Sequence, residues 1–441
     1  MSALETSLLE QLRPFSSSTK RYVVAYSGGC DSHVLLHALV QIKDQFPSQN
    51  IRAIHVDHGL QTHSPDWAEH CRQVCVALNV PIDVLQLNLS IPKGESTEAY
   101  ARQQRYAAIQ TKLTADDILL LAQHQDDQAE TLLLQMLRGS GVKGLASMPF
   151  SKQVDGVHYL RPLLNLTRND IQQYAIDNQL NWIDDPSNED TRFDRNFLRH
   201  EIIPKLKSRW PSLSDTFNRV ASHQAEANAL LTEVAAQDLK SFELDKTNTL
   251  PIESLVSLSP ARQRNVLRYW IEQCGSPVPD SVQLQRILDE VVAAADDAEP
   301  LVSWSGVNMR RYRAVLHLDR ASSHPPSNWQ MNWDWQSPLN LPLGQQLRIR
   351  QLAGQGLALP SQDTALTVRF RRGGEKCQLP GRKHRHELKK LMQDWGIPPW
   401  QRGNIPLIYV GDELAQVVGY SVCEPYIARA DQTGLDIYLN D

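Results

Sequence analysis

The sequence predicts an α/β protein, in which an N-terminal domain with a parallel sheet and helices on both faces precedes two smaller α+β domains. Two observations support this fold class. Short apolar runs alternate with helical patterns over the first 215 residues, which is typical of successive strand–helix–strand units. After residue 216 this rhythm stops, and helices and hairpin-like segments follow in blocks.

The N-terminal elements can be placed one by one. The predicted strands are YVVAY (22–26), IRAIHV (51–56), IDVLQL (82–87) and ILLLA (118–122), and the predicted helices span 32–42, 65–78, 96–113 and 126–137. Ligands of parallel sheets bind at the carboxyl ends of the strands. We therefore expect the functional residues to follow these runs.

Three domains are expected, at residues 1–215, 216–320 and 331–441. The stretch VSWSGVNMRRYRAVLHLD predicts a hairpin around Ser305–Gly306 in the middle domain, and RASSHPPSNWQ (320–330) has the composition of a linker. The last domain combines short strands with a basic helix over 386–395. No internal repeat or low-complexity tract interrupts this order.

Composition excludes some classes of protein and favours others. No run of 18 apolar residues predicts a membrane span, and the N-terminus lacks the pattern of a secretory signal. The six cysteines are scattered, which favours reduced thiols and a cytoplasmic protein. Although the net charge is −5, residues 369–390 hold nine Lys and Arg but two acids. This segment predicts a surface for a polyanion.

The stretch SGGCDS directly follows the first predicted strand. Two glycines before a helix start allow backbone N–H groups to cradle an anion, as in phosphate-binding loops. Neither the Walker A pattern nor G-x-G-x-x-G is present. The predicted anion-binding residues are Ser27, Gly28, Gly29, Cys30, Asp31 and Ser32, with Asp31 as a magnesium contact. A tight turn with Asp31 or Ser32 as helix N-cap is the alternative.

Further candidates follow the other predicted strands. His124, Asp127 and Glu130 fall on one face of the predicted helix over 126–137, and Arg102 and Arg105 share a helix face with Glu98. Each could also be an ordinary helix charge, and His124 an N-terminal cap. Their position beside an anion-binding loop favours a common site.

Taken together, these motifs resemble known families. SGGCDS resembles the pyrophosphate loop (PP-loop) of the N-type ATP pyrophosphatases. The whole set resembles the tRNA(Ile)-lysidine synthetase family, in its long form with two C-terminal domains. The motifs are HVDHGL, E-x-x-A-R-x-x-R-Y, HQDDQAET, RGSGVKGL, YLRPLL and WIDDPSNEDTRFDRNFLRHEIIPKL, with GGEKCQLPGRKHRHELKKLMQDWGIPPWQR near the C-terminus.

The resemblance implies an ATP-dependent ligase that uses Mg²⁺. Such an enzyme adenylates the wobble cytidine of a CAU-anticodon isoleucine tRNA and joins free L-lysine to its carbon 2, releasing AMP and pyrophosphate. In such an enzyme, Asp127 and Glu130 are suited to hold the lysine ammonium or to accept its proton. Arg102 and Arg105 would hold either nucleotide phosphate or the lysine carboxylate.

The implied tRNA-contacting residues come from three parts of the chain. His124 is one of them. Asn196 and Arg199 would close the site or contact tRNA phosphate, with structural salt bridges as the alternative. In the basic segment they are Arg371, Arg372, Arg382, Lys383, Lys389 and Lys390. The oligomeric state stays open between monomer and homodimer.

Three other functions compete. A tRNA thiolation enzyme uses the same loop, but it needs a C-x-x-C pair, and Cys71 and Cys75 are four apart. A non-catalytic tRNA-binding protein would not need an intact SGGCDS and DDQAET. An amidotransferase-type ligase would need a glutaminase motif before the loop, and none precedes it.

Overall fold

The computed structural model describes residues 1–440, except 18, 48–49, 60–63, 88, 90, 93–96, 243, 245, 296–297, 321–323, 327, 343 and 359–363. The chain forms two compact units, residues 1–234 and 235–441. None of the helices in these described residues combines the length and the hydropathy that a membrane span requires. The three predicted domain ranges stay a prediction.

The elements of the first unit are α1 (Ala3–Leu12), β1 (Arg21–Ala25), α2 (Cys30–Gln41), β2 (Ile51–Asp57), α3 (Ser64–Ala77), β3 (Ile82–Gln86), α4 (Thr97–Gln110), β4 (Asp117–Leu120), α5 (Gln125–Leu137), α6 (Val142–Leu145), β5 (Ser151–Val154), β6 (Val157–Leu160), α7 (Arg168–Asp177), α8 (Asp194–Phe197), α9 (Ile203–Arg209) and most of α10 (Leu213–Lys240), which continues into the second unit after residue 234. Its six strands form one sheet in the order β3-β2-β1-β4-β6-β5, parallel except for β5. A π-helical turn over Leu198–Ile202 joins α8 to α9.

Both faces of this sheet are covered, because successive side chains of a strand point to opposite sides. In β1, Tyr22 and Val24 pack in a buried cluster with residues of α1, α2 and α7. Val23 packs in a second cluster, which includes Ile109 of α4. The predicted fold class is confirmed.

The β5–β6 hairpin was not predicted. Lys152 and Gln153 of β5 are exposed, so the strand lacks the apolar run that marks the others. Asp155 and Gly156 form the turn with φ values of 46° and 83°. An Asp-Gly pair is a hairpin signal that could have revealed it.

The second unit has separate sheets. Its elements are β7 (Thr249–Pro251), α11 (Ile252–Val256), α12 (Pro260–Gln273), α13 (Ser281–Arg286), β8 (Leu301–Trp304), β9 (Val307–Tyr312), β10 (Val315–Arg320), β11 (Gln330–Trp333), β12 (Leu339–Asn340), β13 (Gln346–Ala353), β14 (Leu366–Arg369), β15 (Lys376–Cys377), β16 (His386–Glu387), α14 (Leu388–Asp394), α15 (Pro399–Arg402), β17 (Leu407–Val410), β18 (Glu413–Val417), β19 (Ser421–Val422) and β20 (Thr433–Asn440).

A core of α12, α13 and the β7–β10 sheet is distinct from the cores around β14 and α14. The predicted hairpin at Ser305–Gly306 joins β8 to β9, and the predicted basic helix is α14. One expectation was wrong: Cys377 and Cys423, 46 residues apart, form a disulfide. Their proximity depends on the pairing of distant strands, so it cannot be inferred from the spacing of the two cysteines.

Candidate active site

The SGGCDS loop connects β1 to α2 at the carboxyl edge of the sheet. Gly29 is the N-cap of α2, so neither alternative cap, Asp31 or Ser32, is used. The hydroxyl oxygens of Ser27 and Ser32 are 3.0 Å apart, and the Ser32 hydroxyl donates to the Gly29 carbonyl at 3.0 Å. Ser32 is buried. It therefore holds the shape of the loop, whereas Ser27 and Asp31 remain accessible.

The two glycines have different reasons to be glycine. Gly28 has a φ of 88°, and a Cβ there would lie 2.9 Å from Cys71 Sγ and 2.9 Å from Ile183 Cδ1. Gly29 has a φ of −76°, and its Cβ would meet nothing closer than 3.6 Å. Only Gly28 is required by backbone conformation and close packing.

His124 caps the N-terminus of α5 and faces the loop. Its Nδ1 accepts the Asp126 N–H at 3.2 Å, which leaves the proton on Nε2. That nitrogen lies 3.6 Å from an Asp31 oxygen and 3.5 Å from Asp127 Oδ2. Burial opposes the charged imidazole, but the carboxylates of Asp127 and Asp31 raise the pKa of His124 overall.

Asp127 and Glu130 are bound by two arginines from the segment after α7. Arg195 Nε donates to Glu130 at 2.7 Å, and its Nη2 lies 3.3 Å from Asp127. Arg199 reaches the same two carboxylates at 2.6 and 3.1 Å. Burial alone would raise the pKa of Asp127, but His124, Arg195 and Arg199 lower it overall. We call Asp127, Glu130, Arg195 and Arg199 the carboxylate–arginine quartet.

A cavity of about 610 Å³ lies beside the quartet and the loop. Its walls come from the carboxyl ends of β1 and β2, from α4, and from residues 185–199. Arg195 and Arg199 line it, whereas Asp127 and Glu130 do not, so the guanidinium groups lie between the carboxylates and the cavity. An anion in this cavity would meet cations that are already held in place.

The other predicted residues divide between cavity and surface. Arg105 lines the cavity and its Nε donates to His58 Nε2 at 3.1 Å. Burial, with Arg105 nearby, lowers the pKa of His58 to about 4. Arg102 is exposed, and its guanidinium lies 5.4 Å from the centre of the Tyr106 ring. The side chain of Glu98 lies outside the described residues.

Asn196 and Arg199 have structural partners. The Asn196 amide donates to the carbonyls of Ser187 at 2.9 Å and Asp190 at 3.0 Å, which fixes the loop at the cavity wall. Arg199 is in the quartet. Both residues line the cavity, and their structural bonds fit the alternative interpretation. A role in closing the site or in contacting tRNA phosphate stays a prediction.

Sequence reasoning missed Arg195 and Asp126. Arg195 belongs to the motif DRNFLR, but its partner Glu130 is 65 residues away, so the sequence does not reveal their contact. Asp126 is buried and accepts from Ser214 Oγ at 2.7 Å, the Arg168 N–H at 2.9 Å and Lys207. Burial opposes its charge, but the bonds from Lys207 and Arg168 lower the pKa of Asp126 to about 2.

The six predicted residues of the basic segment form two groups, one with structural partners and one that is exposed. Arg371 is partly buried with its Nε 3.8 Å from Glu375, and Arg372 donates to the Asn328 carbonyl at 3.1 Å. The other four predicted side chains are exposed and, within the described residues, have no ion pair: Arg382, Lys383, Lys389 and Lys390.

No described group of three or more His, Cys, Asp or Glu is arranged to hold a metal ion. Burial raises the pKa of Cys30, Cys71 and Cys75 to about 12 each. These thiols stay protonated at neutral pH, and a thiolation enzyme needs reactive thiolates. The cysteines near the loop therefore do not favour thiolation.

The fold and the loop define a PP-loop protein, and comparisons with known proteins agree. Residues 2–206 match the family model "PP-loop domain", residues 250–317 the "TilS substrate binding domain" and residues 366–439 the "TilS substrate C-terminal domain".

Relatives match nearly the whole chain. The tRNA(Ile)-lysidine synthase of Coxiella burnetii is 44% identical over 96% of this chain and 93% of its own length. That of Methylococcus capsulatus is 41% identical over 90% of this chain and 91% of its own length. That of Escherichia coli O157:H7 is 38% identical over 94% and 95%. The chain belongs to the tRNA(Ile)-lysidine synthase family.

Proposed function

We propose that this protein is an ATP-dependent ligase that joins free L-lysine to carbon 2 of the wobble cytidine in a CAU-anticodon isoleucine tRNA. The tRNA would then read AUA as isoleucine. The observation that carries the proposal is the quartet beside the PP-loop, because it combines fixed cations for phosphate with carboxylates for an ammonium group. The protein would work in the cytoplasm, where its tRNA is used.

The first step would be adenylation of the cytidine carbonyl oxygen. Cytosine is a poor electrophile, and AMP on its oxygen makes a leaving group. The loop backbone from Ser27 to Cys30, with the N-terminus of α2, would hold pyrophosphate. Asp31 is accessible and fits Mg²⁺, which prefers one or two carboxylates together with substrate phosphates. That ion would neutralise phosphate charge.

The second step would be attack by the lysine amine, with AMP leaving. In the quartet, Arg195 and Arg199 bind both carboxylates, so an ammonium must displace a guanidinium to reach them. Nucleotide phosphate in the cavity would attract both arginines. Their shift would free Asp127 and Glu130 to orient the ammonium and take its proton. Arg102 and Arg105 would hold phosphate or the lysine carboxylate.

Binding of the tRNA would use phosphate contacts away from the site. Arg382, Lys383, Lys389 and Lys390 are the accessible cations of the basic segment, with Arg371 and Arg372 supporting its structure. His124 would contact the reacting nucleotide together with Asn196.

Single-turnover analysis tests the proposal. The full chain would be mixed with an unmodified CAU-anticodon isoleucine tRNA transcript, ATP, Mg²⁺ and radiolabelled lysine. We expect lysine label at the wobble position with one AMP released per label. Pyrophosphate release without lysine incorporation would overturn lysine as the nucleophile. The proposed shift of the two arginines is tested separately, by measuring lysine binding with and without ATP. Equal affinity for lysine in both conditions would overturn the shift.

A further inference from the structure

A second cleft, of about 860 Å³, lies in the first unit apart from the PP-loop cavity. It is lined by α5, by the segment from Lys143 to Lys152 and by α10. Gln125 and Gln128 of α5 line it. At 100° per residue these two lie on the side of α5 opposite Asp127 and Glu130. One helix therefore separates the reacting residues from this cleft.

The floor of the cleft offers hydrogen bonds. Gln125 is 5% exposed, its Nε2 donates to Asp215 at 2.7 Å, and its Oε1 has no hydrogen-bond partner among the described residues. Gln128 binds both backbone groups of Met148, each at 2.9 Å, and so fixes the wall. That oxygen is itself buried, so a ligand in the cleft can donate to it only after the Gln125 amide turns toward the cleft. A buried acceptor without a partner costs free energy, which favours such a turn when a donor is present.

The rim of the cleft carries positive charge. Lys152 on β5 and Arg219 on α10 are exposed lining residues, and Lys143 lines the same cleft. Among the described residues that line the cleft, Asp215 is the one acid, and it accepts a hydrogen bond from Gln125. A polar floor with a cationic rim suits a nucleotide, because the base can donate to the floor while its phosphate meets the rim.

We propose that this cleft binds an unpaired nucleotide of the tRNA anticodon loop, next to the wobble cytidine. The inference rests on the proposed function, which places that cytidine on the other side of α5. An α-helix is about 10 Å across, so neighbouring nucleotides of one splayed loop can lie on both of its sides. Gln125 then reads the base, and Lys152 and Arg219 hold its phosphates.

Two kinds of variant of the full chain test the cleft. Ser222→Trp adds bulk to an exposed lining position without changing charge, and Lys152→Glu with Arg219→Glu reverses the rim. We expect each to raise the Kd for the tRNA at least tenfold with kcat at saturating tRNA unchanged. The charge variant also makes the salt dependence of log Kd shallower by about 1 for each phosphate that the protein no longer neutralises. Lys112→Glu, exposed on another surface, is the control and should change Kd less than about twofold.

Photocrosslinking locates the nucleotide. A 4-thiouridine placed on the 5′ side of the wobble cytidine should crosslink to residues 146–152 or 218–228. Unchanged Kd in both variants, with crosslinks elsewhere, overturns the cleft assignment while lysine incorporation still supports the ligase. Crosslinks in the cleft with no lysine incorporation by the unaltered protein overturn the ligase and support the cleft.

Discussion

The quartet and the exposed part of the basic segment use charge in opposite ways. In the quartet, Asp127 and Glu130 are buried and bound by two arginines at hydrogen-bond distance. In the basic segment, Lys389 and Lys390 are exposed and, in the described part of the chain, unpaired. Buried charges depend on geometry and on every partner, whereas exposed ones act through a field that salt screens. Loss of one charge should therefore matter greatly in the first region and little in the second.

The largest effect is expected for Glu130→Gln. This change removes one charge from a buried network and leaves two guanidinium groups with one carboxylate, so the free energy of unfolding should fall by about 3–5 kcal/mol. Urea unfolding measures it. The control is Glu201→Gln, which breaks an exposed pair with Lys205 at 3.2 Å and should cost under about 1 kcal/mol. Equal losses in both variants would contradict the comparison.

The second-largest effect on stability is expected for Gly28→Ala. A Cβ at φ 88° and 2.9 Å from Cys71 Sγ combines backbone strain of about 1–2 kcal/mol with overpacking of about 1–3 kcal/mol. Both stability and ATP affinity should fall, as measured by calorimetry. Gly29→Ala is the matched control, because its φ of −76° suits any residue. If Gly29→Ala destabilises the protein as much as Gly28→Ala, the steric explanation fails.

The lowered pKa of Asp126 predicts that the free energy of unfolding depends on pH. Its pKa falls from 3.8 to about 2 on folding, so its contribution is fully present above pH 4 and is lost as the pH falls toward 2. The contribution is about 2 kcal/mol at neutral pH. Stability of Asp126→Asn, measured by denaturant unfolding, should lie below that of the unaltered protein at pH 7 and approach it near pH 2. A difference that stays constant with pH would refute this origin.

The smallest effect is expected for Lys389→Gln with Lys390→Gln. The Kd for tRNA should rise about threefold at low salt, and its salt dependence should become shallower by about 1 for each phosphate that is no longer neutralised. Stability should not change, since neither side chain has a described ion pair. Filter binding at several salt concentrations measures this. Arg371→Gln, at a partly buried position, is the contrast: there stability should fall instead.

Local signals in the sequence were enough for the fold class and the loop. The apolar runs of β1 to β4 and the helical patterns between them predicted the sheet, with element ends within three residues of the structure. SGGCDS predicted a turn into a helix, and His124 was recognised as a possible cap. These features depend on residues within a few positions of one another, so backbone conformation and periodicity encode them directly.

Which charged side chains have partners depends on contacts between distant parts of the chain. Arg195 and Arg199 meet Glu130 across 65 and 69 residues, and nothing in DRNFLR specifies that contact. The requirement for glycine at position 28 also depends in part on distant residues, because a Cβ there would lie against Cys71 and Ile183 in addition to the strained φ. Likewise, Arg371 lies near Glu375, and this contact distinguishes it from the exposed basic residues. Local sequence patterns were therefore sufficient for the elements from β1 to α5 and for the turn between β1 and α2. Only packing of distant segments decided which side chains are buried together, because burial and pairing depend on the path of the whole chain.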